Sequence, residues 1–84
     1  MDYDTNKVDE AVLALLYLNM FDDNAATRAW KSFNWDSMNR LHQNGFIADP
    51  KSKAKSVVVT EQGKKESERL FGEMFGAQRQ SQQQ

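Results

Sequence analysis

The sequence has no cysteine, one proline, one histidine and four glycines in 84 residues. Without thiols there is no disulfide and no thiolate metal site, and a single histidine excludes a histidine-rich metal cluster. Long hydrophobic runs are missing too. The longest, Ala11 to Leu18, has eight residues, against about 20 for a bilayer span. It follows Asp2, Asp4, Asp9 and Glu10, whereas a signal peptide opens on basic residues. A cytoplasmic protein is expected. Charge of one sign is also lacking: 11 Lys and Arg stand against 12 Asp and Glu, a net charge of −1. A chain this short forms one domain and buries roughly 60% of the surface that its unfolded form exposes. Its core is small, with no covalent staple to support it.

Near neutrality conceals a split. Residues 1–27 hold six acids and one base, a net charge of −5. Residues 28–65 hold eight bases and three acids, a net charge of +5, and residues 66–84 carry −1. An acidic start therefore precedes a basic centre.

Periodicity predicts a first helix over about 6–20, capped by Asp4 or Thr5. Val8, Ala11, Val12, Leu15 and Asn19 share one face, while Leu13, Leu16, Tyr17, Leu18 and Met20 fill the other directions. A helix apolar nearly all round lies centrally or meets another chain. In so small a domain the second arrangement is expected. Asp22-Asp23-Asn24 is a loop, and residues 25–33 read equally well as a short helix or a short strand. Asn34 caps a helix over 35–44, with Trp35, Met38, Leu41 and His42 on one face and Asp36, Ser37, Arg40, Gln43 and Asn44 on the other. Gly45 falls where a helix C-terminus takes positive φ. Phe46-Ile47-Ala48 and the β-branched run Ser56 to Thr60 form a hairpin around Asp49-Pro50-Lys51-Ser52-Lys53. Thr60 caps a last helix over 61–75 whose inner stripe is Ser67, Leu70, Phe71, Met74 and Phe75, with Glu61 and Lys65 an i,i+4 pair. The Gln-rich tail over 77–84 has nothing to pack and is expected to be disordered, leaving one domain over 1–76.

The basic centre supplies the candidate binding residues. Lys51, Lys53 and Lys55 at the hairpin tip suit phosphate neutralisation, extended by Arg28 and Lys31. Ser37, Arg40, Gln43 and Asn44 are the side chains placed to reach a groove from the middle helix. The same lysines also suit a solvated, edge-protecting turn, and Asp36 on that helix repels phosphate. Trp30, Phe33 and Trp35 form an aromatic cluster expected to serve packing rather than base stacking. His42, phased with Trp35 and Met38, is expected to be half-buried and hydrogen-bonded. It has no partner placed for general-base work. No phosphate loop, paired-carboxylate motif or metal-ligand spacing is present, so neither catalysis nor a cofactor is expected.

The order of elements is similar to that of winged-helix regulators. Arg40-Leu41-His42-Gln43-Asn44-Gly45-Phe46-Ile47, a Lys-rich turn, then Val59-Thr60-Glu61-Gln62-Gly63 resemble the cadence of the MarR and PadR families. Across nearly the whole chain, Thr27-Arg28-Ala29-Trp30-Lys31, Trp35-Asp36, Arg40-Leu41-His42, Gly45, Asp49-Pro50, Lys53-Ala54-Lys55-Ser56-Val57 and Leu70-Phe71 resemble a family of small bacterial proteins of unknown function. That second resemblance implies no activity or site.

The expected fold class is therefore α+β, winged-helix-like, with three to four helices and a two- or three-stranded wing. The expected function is DNA binding in transcriptional control, as a homodimer joined through Leu13, Leu16, Tyr17, Met20, Leu70, Phe71, Met74 and Phe75. The alternative is a protein–protein interaction module that binds no DNA. Expected partners are a second copy of the chain, and double-stranded DNA or another protein; no membrane is among them.

Overall fold

A computed structural model describes residues 1–77. Three helices and a three-stranded antiparallel sheet alternate in the order α1 (Thr5–Leu16), β1 (Met20–Asp22), β2 (Thr27–Trp30), α2 (Trp35–Gln43), β3 (Ser56–Val58) and α3 (Glu61–Phe75). The chain is a mixed α+β protein. Apart from Ala77, the expected disordered tail lies outside the described residues.

All three helices start on side chains that satisfy free first-turn amides. Asp4 accepts from the Lys7 amide, Asn34 from Ser37 and Thr60 from Gly63. The middle helix ends at Gly45, whose φ of +84° is the left-handed conformation that glycine adopts without strain.

The first helix is shorter than its periodicity predicts. It gives way to a single 3-10 turn, Tyr17–Asn19, and Met20 turns extended. Sheet pairing wins over helix continuation here: Met20, Phe21 and Asp22 pair with Ala29, Arg28 and Thr27. The intervening loop is closed by Asp23, whose carboxylate accepts from the Ala25 and Ala26 amides, both at 2.9 Å. Those two backbone donors hold the Asp23 carboxyl below its ordinary pKa. The ambiguous segment 25–33 thus holds a strand rather than a helix, but only over Thr27–Trp30, with residues 31–33 irregular. Ala29 faces the core and Trp30 faces out, the alternation of a half-buried strand.

The sheet order is β1-β2-β3. On the far side of β3, the expected strand 46–48 is reduced to one bridge, Ile47 opposite Val59, with the Ala48 amide donating to the Val58 carbonyl. The hairpin therefore closes, but β3 makes most of its ladder with β2.

The core joins Val12, Leu13, Ala14 and Leu16 of α1 to Ala29, Met38, Leu41, Ile47, Val57, Val59 and Leu70. Within the chain α1 lies centrally, against both α2 and α3, which accounts for much of its apolar circumference without a second chain. Ser67 Oγ donates to the Leu13 carbonyl at 2.6 Å in the buried α1–α3 seam. Further along, Tyr17 meets Phe71. Met74 and Phe75, in the last turn of α3, are left exposed.

Candidate functional site

Two surfaces stand out, one basic and one apolar. The basic surface is the loop 49–55, where Lys51, Lys53 and Lys55 are all exposed. Asp49 and Pro50 shape it: the Asp49 carboxylate accepts from the Lys51 amide at 2.9 Å, and Pro50 is buried. Lys31 holds the loop from below, its Nζ donating to the Ser52 carbonyl at 2.8 Å and to Ser52 Oγ at 3.1 Å. Arg28 is similarly engaged, donating to Ser56 Oγ and to the Ser56 carbonyl. Arg28 and Lys31 thus tie the sheet to the loop, whereas the three loop lysines point to solvent.

Of the residues expected to reach from α2, Gln43 and Asn44 are exposed. Ser37 is not. Only 1% of it is accessible, which corrects its placement on the outer face: with Met38 and Leu41 it forms the buried side of α2. Arg40 is held by Asp9 of α1 in a two-pronged pair, Nε to Oδ2 at 2.6 Å and Nη2 to Oδ1 at 2.9 Å. That hydrogen bonding raises the Arg40 pKa above its ordinary value. Asp9 is only 7% exposed, so the pair is a structural link between helices. Its signal in the sequence is phase: Asp9, Leu13 and Leu16 stand at i, i+4 and i+7, which puts the carboxylate on the buried stripe.

The apolar surface joins Tyr17 to the C-terminal end of α3. Tyr17 and Phe71 have ring centroids 5.0 Å apart, and Phe71 and Phe75 are 5.4 Å apart. Tyr17, Leu18, Met74 and Phe75 are exposed, and Phe71 is half-buried. The other residues expected at a dimer interface are placed differently. Leu13, Leu16 and Leu70 are buried in the chain's own core, and Met20 packs partly against it, because α1 and α3 cover each other within one molecule.

The aromatic cluster expected to pack is split. Trp30 stacks on Phe21 at 4.6 Å, with half its surface exposed. Trp35 is also 50% exposed and stands with half-buried Phe33 beside the basic loop. His42 is exposed rather than half-buried, since it lies a full turn past Met38 at the end of α2; its Nδ1 is 3.0 Å from the Ile47 carbonyl. On α3, Arg69 pairs with Glu66 and Glu73, while among the described residues no bridge joins Glu61 to Lys65. No cluster of three or more metal-ligating side chains occurs among the described residues. No helix among them is long and apolar enough to cross a membrane.

These features define a small α+β domain that presents one basic and one apolar exposed surface. The chain belongs to a family described as a domain of unknown function, DUF6429, whose pattern matches residues 4–77. It is similar to an uncharacterised protein of Sinorhizobium fredii, y4hR, being 45% identical over 75 residues that cover 89% of this chain and 97% of that protein. No solved structure matches.

Proposed function

We propose that this chain is a non-enzymatic protein-interaction domain, winged-helix-like in organisation, that pairs with a second copy of itself. The observation that carries this reading is the uncovered ladder of Tyr17, Phe71 and Phe75, flanked by Leu18 and Met74. Adjoining apolar side chains left in water at the end of a helix are the usual mark of an interface. Aromatic anchors contribute most of the energy in such contacts. The neighbouring charges are mixed, with Lys64, Glu68 and Glu73 all exposed, which suits a protein partner better than an anionic bilayer. The winged-helix element of the reading is supported by the succession of α2, the Gly45 turn, the Ile47–Val59 bridge, β3 and α3. It departs from a helix-turn-helix in having the β1–β2 hairpin before α2.

Light scattering tests the pairing. At tens of micromolar the wild type should show twice the 9.7 kDa chain mass, and Met74→Glu/Phe75→Glu should return it to one. A wild type that remains a monomer at this concentration refutes the reading.

DNA binding is the second reading, favoured by the three exposed loop lysines and by the exposure of Gln43 and Asn44. It is placed second because Ser37 is buried and Arg40 is engaged by Asp9, leaving α2 few side chains for base edges. Titrating labelled duplex at two salt concentrations decides it. Each phosphate neutralised adds about 0.9 to the magnitude of the log–log salt slope. Binding that is lost in Lys51→Glu/Lys53→Glu/Lys55→Glu would promote this reading to first.

A further inference from the structure

Beside the basic loop lies a cleft of about 400 Å³ that the pairing described above does not use. Its floor is apolar: Met38 is 1% exposed and Pro50 is buried. Half-exposed Trp35 and half-buried Phe33 stand along it, and Lys31 and Lys55 supply its charge. No carboxylate lines it. The acids closest in sequence are Asp36, next to Trp35, and Asp49, whose carboxylate is taken by the Lys51 amide. Among the described residues none of Lys31, Lys51, Lys53 and Lys55 forms a salt bridge. Lys31 spends two of its three ammonium protons on Ser52, which leaves one.

We infer that this cleft binds an acidic peptide segment with an apolar or aromatic anchor residue. The anchor lies on Met38 and Pro50 against the Trp35 ring, and flanking carboxylates meet Lys31 and Lys55, with Lys51 and Lys53 adding long-range attraction. Charge complementarity selects an anion, and the floor selects its kind. Met38 and Pro50 offer no side-chain donor or acceptor to read a base edge, and Ser52 Oγ is already engaged by Lys31. A nucleobase would lose hydrogen bonds to water there without replacement, whereas a Leu or Phe side chain loses none. Trp35 has the exposure and the amphipathic ring typical of an anchoring contact. The residues involved differ from those of the α3 end, so failure of either proposal leaves the other standing.

The probe is a blocked synthetic peptide, Asp-Glu-Phe-Leu-Asp-Glu. The controls are the same peptide with Ser in place of Phe and Leu, and oligodeoxythymidine. In Trp30→Phe, a mild change at a ring stacked on Phe21, Trp35 is the sole tryptophan and is read selectively by excitation at the red edge of the absorption band. Calorimetry on the wild-type chain measures the same affinity should that variant fold poorly. The expected result is a blue shift of Trp35 emission on adding the acidic peptide. Binding should weaken by about tenfold or more for the Ser peptide, for Trp35→Ala, and for Lys51→Glu/Lys53→Glu/Lys55→Glu, with circular dichroism unchanged. Three results overturn the inference: no peptide binding up to roughly millimolar concentration, peptide binding indifferent to the lysine reversals, or lysine-dependent binding of oligodeoxythymidine in preference to the peptide.

Discussion

Replacing Gly63 by alanine sets two opposing effects against each other. Within a helix the change favours folding by about 1 kcal/mol through propensity alone. Here, however, a Cβ would stand 2.0 Å from the Phe46 carbonyl oxygen, 2.8 Å from its carbon and 3.0 Å from Phe46 Cα. All three are backbone atoms, so no side-chain rotation relieves the clash. The surroundings are also tied together. The Thr60 amide donates to the Phe46 carbonyl at 3.0 Å, Thr60 Oγ1 donates to the Gly45 carbonyl at 2.7 Å, and the Gly63 amide donates to Thr60 Oγ1. Pushing α3 away from Phe46 strains that cap, worth about 1 kcal/mol, on top of about 1–3 kcal/mol for overpacking. The net expectation is a loss of roughly 1–3 kcal/mol, or about 4–8 °C in Tm per kcal/mol for a domain of this size. Gly72 is the internal control. It lies in the same helix with nothing within 4 Å of its would-be Cβ, so Gly72→Ala should gain up to about 1 kcal/mol. Urea unfolding of both variants beside wild type, followed by far-UV circular dichroism, reads the two signs directly. A Gly63→Ala chain as stable as wild type would refute the close approach of α3 to Phe46.

Three further outcomes are expected. Leu16→Ala removes a fully buried side chain from the centre of the core; a loss of about 2–5 kcal/mol should leave a measurable unfolded fraction at 37 °C, and a chain with unchanged urea midpoint would contradict the central position of α1. Arg40→Ala should destabilise the wild type, where it strands the buried Asp9 carboxylate, more than it destabilises Asp9→Ala, and a double-mutant cycle in urea measures the difference. Glu66, held by Arg69 below its ordinary value of 4.5, binds its proton more weakly folded than unfolded. Its stabilisation is therefore present above about pH 4.5 and lost as pH falls through the lower folded value. Glu66→Gln should be less stable than wild type by under about 1 kcal/mol at pH 7, as befits a surface pair, with the gap narrowing as the pH is lowered; a gap that does not narrow in acid would contradict the pairing.

Much of this architecture is legible in the residues, and what is not has physical causes. The caps Asp4, Asn34 and Thr60 and the turn at Gly45 act through local hydrogen bonds and dihedral preference, so their chemistry shows in the sequence. The β1–β2 hairpin is different. Met20 and Phe21 continue an apolar helical run, and only pairing with Arg28 and Ala29 draws them into a strand, a tertiary effect that no local pattern records. The split in charge is partly neutralised inside the molecule, because Asp9 of the acidic start meets Arg40 of the basic centre. A basic count along the chain therefore overstates the basic surface. Ser37 shows the limit of a helical wheel. Its small hydroxyl side chain reads as outward, yet it lies buried with Met38 and Leu41, 3.4 Å from an Arg40 nitrogen. The apolar stripe of α3 is legible as a stripe, but its coverage is not: Ser67 and Leu70 are buried, whereas Met74 and Phe75 are exposed, a difference set by tertiary packing.

The central claim is that the α3 end, and not α2, is where this domain meets its partner copy. Amide chemical shifts of the ¹⁵N-labelled chain, followed from dilute to concentrated solution, test it most directly. Concentration-dependent shifts confined to Tyr17–Phe21 and Phe71–Ala77 are predicted. Shifts centred on α2 and the loop 49–55, or none at any concentration, would contradict it.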